Sequence, residues 1–110
     1  MAPATGTTPY SAFRVQSEAD NYTLQVAGFS GNASFDAFGT GYHNGRQFST
    51  FDRDNDGWSL GNCAAGYGGF WWGRCGWCKV NGARSTGDFE WLYLPGGRHL
   101  QLSRMWLQCK

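Results

Sequence analysis

Charge is scarce in this 110-residue chain, where Asp, Glu, Lys and Arg together make up 15%. The formal net charge of +1 offers no overall electrostatic handle for nucleic acid or an anionic membrane surface. Long apolar runs are missing as well. The longest aromatic run is Phe70-Trp71-Trp72, far short of the roughly 20 residues that cross a bilayer. Only three prolines occur, and glycine and proline together stay below the roughly 25–30% that marks low complexity. The opening residues Met1 to Pro9 carry neither a basic stretch nor an apolar core, so they do not read as a signal peptide. They read as a flexible lead-in, with the folded unit over residues 10–110. His43 and His99 stand far apart with no Ser/His/Asp constellation, so both read as structural or exposed. No hydrolytic mechanism is suggested.

What is abundant is aromatic surface and glycine: 17% aromatics with six Trp, and 17 Gly. Such a composition describes one small, loop-rich unit held by aromatic packing. No repeat or linker interrupts it. Charge is unevenly spread. Residues 1–73 hold three Arg against six acids, −3, while residues 74–110 hold six basic residues against two acids, +4. Phe13-Arg-Val followed by Tyr22-Thr-Leu-Gln-Val alternates apolar with polar, as a strand does. Asn44-Gly45 is a turn signal. Residues 52–88, rich in glycine and without helical periodicity, read as ordered loop. Pro95-Gly96-Gly97 reads as a hairpin connection into a final strand over residues 99–109, with a bulge near Arg104.

The most informative stretch is Asp52-Arg53-Asp54-Asn55-Asp56-Gly57-Trp58-Ser59-Leu60-Gly61. Three carboxylates at alternate positions, then a glycine, supply hard oxygen ligands on a backbone able to turn sharply. Ca²⁺ requires that chemistry: several oxygens at about 2.3–2.6 Å from carboxylates, carbonyls and water. The run matches the first half of an EF-hand loop, but its twelfth position is Cys63 where that loop has a bidentate Glu. It is a calcium loop of another kind. Four cysteines, Cys63, Cys75, Cys78 and Cys109, allow three disulfide pairings. An even count in a small chain favours an oxidising compartment, as do two sequons at Asn21 and Asn32. Secretion is the expectation.

The landmarks then fall in order: Tyr22-Thr-Leu-Gln-Val-Ala-Gly-Phe-Ser-Gly, Tyr42-His-Asn-Gly-Arg-Gln-Phe-Ser-Thr-Phe-Asp-Arg-Asp-Asn-Asp, Asn62-Cys-Ala, Gly69-Phe-Trp-Trp, Cys75 and Val80-Asn-Gly. From about Tyr10 onward the chain resembles the C-terminal half of a fibrinogen-related domain, as in ficolins, tachylectins and invertebrate defence lectins. The resemblance implies a small, loop-rich α+β domain built on antiparallel sheet and stabilised by disulfide. It also implies that the N-terminal half of the family's domain is absent. It places calcium on the side chains of Asp54 and Asp56 and the carbonyls of Trp58 and Leu60, with Asp52 in support. It pairs Cys63 with Cys75, beside a ligand pocket, and puts a cis peptide at Arg74-Cys75.

In the lectins that pocket takes acetyl groups of N-acetylated sugars, which here implies Tyr67, Arg74, Cys75, Gly76 and Trp77. Gly76 departs from the His common at that position, and the stretch after Asn81-Gly82 is short. Trp77 is then the candidate for a replacement aromatic face, while Trp71 and Trp72 read as core. Cys78 and Cys109 lie outside the family pattern, and pairing them would tie the pocket loop to the last strand. The expected function is a non-enzymatic, calcium-binding lectin for carbohydrate or acetylated ligands on microbial surfaces, in innate-immune pattern recognition, with homo-oligomeric assembly. No nucleic-acid partner and no membrane span is expected. A fibrinogen-type protein-interaction module is the alternative. Two weaker chemistries stay open: thioredoxin-like redox at Cys75-Gly-Trp-Cys78, and a four-cysteine zinc site.

Overall fold

Leu24 and Val26 are buried while Gln25 and Ala27 are exposed, the period of two that the sequence predicts for a strand. In the structure, a computed structural model, residues 7–32, 36–39, 41–82, 90–91, 103–105 and 107 are described. Strand β1 (Tyr10–Val15) pairs antiparallel with β2 (Leu24–Phe29), setting Tyr10 opposite Phe29 and Phe13 opposite Val26. The alternating segment is therefore two strands of a hairpin. A 3₁₀ turn at Glu18–Asp20 joins them, followed by Asn21 and Tyr22 with φ of 51° and 55°. The pairing begins before Tyr10, since Ser30 N donates to Pro9 O (3.1 Å) and Asn32 N donates to Thr7 O (3.0 Å).

The other edge of β2 is covered by a turn. Leu24 N donates to Arg46 O (3.0 Å), Gly45 N donates to Leu24 O (2.8 Å), and Val26 N donates to Asn44 Oδ1 (2.9 Å). Gly45 supplies the left-handed φ of 82° that the turn demands. The signal at Asn44-Gly45 thus marks a reversal that substitutes for a third strand. Further along, β3 (Phe48–Ser49) pairs with β4 (Phe70–Trp71), and β5 (Cys78–Lys79) with β6 (Glu90–Trp91), both antiparallel.

One helix and the short strands β4 and β5 correct the reading of residues 52–88 as loop throughout; α1 spans Cys63–Tyr67. Five residues are too few to display a 3.6-residue period, so capping specifies it. Asn62 Oδ1 accepts from Ala65 N at 3.2 Å, and Asp56 Oδ2 accepts from Cys63 N at 2.8 Å. The expected final strand is not seen at Ser103–Met105 or Leu107, which have no regular structure. The rest of residues 99–109, and the Pro95-Gly96-Gly97 connection, lie outside the described residues.

Aromatic rings fill the core. Phe38 stacks on Phe70 at 5.4 Å and meets Tyr10 edge-on at 5.7 Å. Trp72 is fully buried and gives its indole N–H to Gly68 O (2.9 Å), while Trp71 gives its own to Tyr22 O (2.8 Å). Both tryptophans are framework. Tyr10 Oη donates to Asp36 Oδ1 at 2.6 Å, and burial, then this bond, pushes its ionisation far up. Replacing Trp72 with Ala removes the largest fully buried side chain among the described residues, and its hydrogen bond. A loss of about 3–5 kcal/mol is expected in chemical denaturation; a loss below about 1 kcal/mol would contradict this view of the core.

Candidate functional site

The acidic loop is organised by its own side chains. Asp54 Oδ1 accepts from Asp56 N (3.1 Å), and Asp56 Oδ1 accepts from Trp58 N (2.8 Å), two successive Asx-type closures. The second Asp56 oxygen holds the first amide of α1, so one carboxylate spans the loop from Trp58 to Cys63. Asn55 anchors it to β3, with its N–H on Ser49 Oγ (2.9 Å) and its side-chain amide on Phe48 O (3.0 Å). Asp52 accepts from Thr50 Oγ1 at 2.7 Å and lies exposed beside the loop.

Among the described residues no three of the His, Cys, Asp and Glu side chains converge as a metal cluster. A cation here would need carbonyl oxygens to complete its shell, as a set of two carboxylates with the carbonyls of Trp58 and Leu60 does. The donor set fits that demand. It is all oxygen, Asp54 is exposed, and no described cationic side chain pairs with Asp54 or Asp56.

Cys63 and Cys75 form the expected disulfide, with Cα atoms 5.5 Å apart. Closing a loop of this length contributes about 3 kcal/mol. A backbone bond runs alongside it, since Gly57 N donates to Gly73 O (2.8 Å) and Gly73 N donates to Tyr42 O (2.7 Å). The Arg74-Cys75 peptide is trans, correcting the cis geometry that the resemblance implied. A non-proline peptide favours trans by about 2.5–4 kcal/mol.

Gly76 packs directly on the ring of His43. A Cβ on Gly76 would fall inside that imidazole, so no other residue fits without displacing it. His43 is fully buried, with Nδ1 2.9 Å from Trp71 O, while Nε2 accepts from Trp77 N (2.9 Å) and Cys78 N (3.2 Å). Two amide donors on Nε2 require the neutral ring with its proton on Nδ1. Burial lowers the His43 pKa from 6.5 to about 4, against the opposing pull of the Trp71 carbonyl.

A cleft of about 330 Å³ opens beside the disulfide. It brings together all five residues expected to line it: Tyr67, Arg74, Cys75, Gly76 and Trp77. Tyr42, Trp58 and Lys79 also line it. Trp58, expected to lend only its carbonyl, places its side chain in the cleft while its N–H is bound to Asp56, so it joins loop to pocket. Gly61 makes room for that indole, which a Cβ there would strike. Tyr42 meets Trp77 edge-on at 5.1 Å, and the Lys79 ammonium sits 4.2 Å above the Tyr67 ring. Sequence reasoning missed Tyr42 and Lys79. Tyr42 stands more than thirty residues from Cys75, and only its place in the Tyr-His-Asn-Gly landmark hinted at a role.

The second expected disulfide does not form at Cys78, a free thiol with no exposure. Its partner Cys109 lies outside the described residues. Cys78 is in β5, opposite Trp91, and points into the core. Burial, then the nearby Asp36 carboxylate, pushes its thiol pKa up. That is the reverse of a redox-active thiolate, and Cys75 is already bonded to Cys63. The thioredoxin-like reading loses its reactive pair, and a four-cysteine zinc site loses two of its ligands.

Residues 2–96 match the family model for the C-terminal globular domain of fibrinogen beta and gamma chains. The chain belongs to this fibrinogen C-terminal domain family. It is 44% identical over 97 residues to human fibrinogen alpha chain, covering 79% of this chain and 10% of that one. To human microfibril-associated glycoprotein 4 it is 41% identical over 99 residues, covering 87% of this chain and 34% of the relative. Among solved structures, the fibrinogen-like globe domain of human ANGPTL2 superposes with a TM-score of 0.70 at 35% identity, covering 84% of this chain and 46% of that one. Lamprey fibrin D-dimer, complexed with the peptide Gly-His-Arg-Pro-amide, gives 0.59 at 32% identity, covering 69% and 27%. The chain thus spans between a tenth and a third of these curated relatives.

Two outcomes follow from His43. Below pH 6.5 the unfolded chain takes up a proton that the folded chain refuses until about pH 4. This contribution is therefore complete above 6.5 and lost as pH falls toward 4, about 3 kcal/mol in all. In melting experiments the gap between wild type and His43→Gln should narrow over that window; equal pH slopes would refute it. Gly76→Ala should cost about 2 kcal/mol or more by expelling the imidazole from its bonds, seen as a lower denaturation midpoint, whereas a neutral Ala would mean the ring has room.

Proposed function

We propose that this chain is a non-enzymatic, extracellular recognition module in which a calcium-braced loop holds a pocket for carbohydrate or acetylated ligands. The observation that carries this reading is the physical continuity of loop and cleft. Asp56 grips Trp58 and Cys63, Cys63 is bonded to Cys75, and Trp58 and Cys75 both line the cleft. Calcium would be held by the Asp54 and Asp56 carboxylates with the Trp58 and Leu60 carbonyls, and Asp52 would support from outside. The ion supplies rigidity and no chemistry: it neutralises loop carboxylates and fixes where the Trp58 indole stands. The aromatic walls offer apolar faces for a methyl group or the C–H face of a sugar ring, as recognition of surface glycans on microbes would require. Several copies in one assembly would raise avidity for repetitive surfaces. A disulfide in so small a unit favours an oxidising, extracellular setting.

A protein-interaction role is the second reading, favoured by the peptide bound to lamprey fibrin. That peptide carries an arginine. The described lining of this cleft holds Arg74 and Lys79 and no acid, which disfavours a cationic peptide end. Calcium should raise the melting temperature, by about 2.7 kcal/mol of stability at a hundredfold excess over Kd. Asp54→Ala should abolish that response and the EDTA-sensitivity of binding to N-acetylated resin. A melting response to Ca²⁺ that survives Asp54→Ala would sink the site assignment.

A further inference from the structure

We infer that the cleft prefers an acidic sugar, whose carboxylate meets Arg74 while its ring lies against the Tyr42–Trp77 wall. This rests on the recognition reading above and names its ligand class. The described lining carries two cations and no acid, in a chain whose net charge is only +1. The cleft lining is therefore locally cationic in a chain that is nearly neutral as a whole. A neutral acetyl group would leave the Arg74 guanidinium without an anion.

The two cations differ in kind. Lys79 is held above the Tyr67 ring, which fixes its ammonium at the wall. Arg74 is exposed between Gly73 and the disulfide-bonded Cys75, and makes no hydrogen bond or ion pair among the described residues. Its planar fork can take both oxygens of a carboxylate at once, a geometry an ammonium cannot match. Low-dielectric aromatic walls strengthen that attraction relative to open water. The rings also explain why a bare anion is insufficient. Tyr42, Trp58, Tyr67 and Trp77 offer apolar faces that only a ligand with a ring or chain can cover.

The test titrates the chain with three monosaccharides in calcium buffer. N-acetylglucosamine carries the acetamido group alone, N-acetylmuramic acid adds a lactyl ether bearing a carboxylate to the same sugar, and glucuronic acid has a carboxylate without acetamido. Binding of N-acetylmuramic acid about tenfold tighter than N-acetylglucosamine is expected, with the gap narrowing at high salt. Arg74→Gln should bring the ratio toward one, and Arg74→Lys should leave part of it. Equal binding of the matched pair overturns this inference and leaves the acetyl reading standing. Binding of glucuronic acid without N-acetylglucosamine supports the inference and overturns the acetyl reading. Failure of all three overturns both. An undiminished ratio in Arg74→Gln, with its melting curve unchanged, overturns the assignment to Arg74.

Discussion

The imidazole of His43 is the contact on which the rest of this small structure depends. It lies fully buried and joins three stretches of backbone: the turn it belongs to, β4 through the Trp71 carbonyl, and the pocket loop through the amides of Trp77 and Cys78. Each partner is a main-chain group, and a buried main-chain group left without a mate costs about 1–3 kcal/mol. The ring meets Phe70 at 5.3 Å and Trp72 at 5.6 Å. It is both a hydrogen-bond hub and a member of the aromatic core. Its neighbour Gly76 is bare because the ring occupies the space a side chain would need.

Asp56 does for the acidic loop what His43 does for the pocket loop. One carboxylate collects two amides five residues apart in the chain, Trp58 and Cys63. The disulfide and the Gly57–Gly73 bond then fasten this loop to the segment that His43 holds from the other side. The cleft walls are thereby positioned by backbone hydrogen bonds and one covalent link, with little reliance on regular secondary structure. β3, β4, β5 and β6 have two residues each, and α1 has five. Segments as short as these among the described residues need such ties, because propensity alone would not hold them.

How much could be read beforehand varies from residue to residue. The alternation of Leu24 and Val26, the turn at Asn44-Gly45, the framework role of Trp71 and Trp72 and the Cys63–Cys75 bond were legible, since each is a local pattern or a familiar order of landmarks. The helix at Cys63–Tyr67 was not, because caps rather than periodicity define it. Nor was the trans Arg74-Cys75 peptide. The glycine after Cys75 looked like the loss of a pocket residue, yet it is the space into which His43 packs. The free thiol at Cys78 escaped pairing arithmetic, which counts cysteines without knowing that this one faces Trp91 and the core. Tyr42 and Lys79 reach the cleft from positions no spacing rule connects.

The sequence by itself determined the family, the acidic loop with its run of carboxylates, and the five residues around Cys75 that line the cleft, because all are contiguous or ordered motifs. Only the tertiary structure decided which of these touch. It set the Trp58 indole in the same cleft as Tyr67 and Trp77, brought Tyr42 across to them, and turned a histidine with no apparent role into the hub. The last two depend on contacts between residues more than thirty apart in the chain, Tyr42 with Trp77 and His43 with Trp77. Volume exclusion and hydrogen-bond saturation in a shared interior fix them, and neither quantity is written in any single stretch of residues.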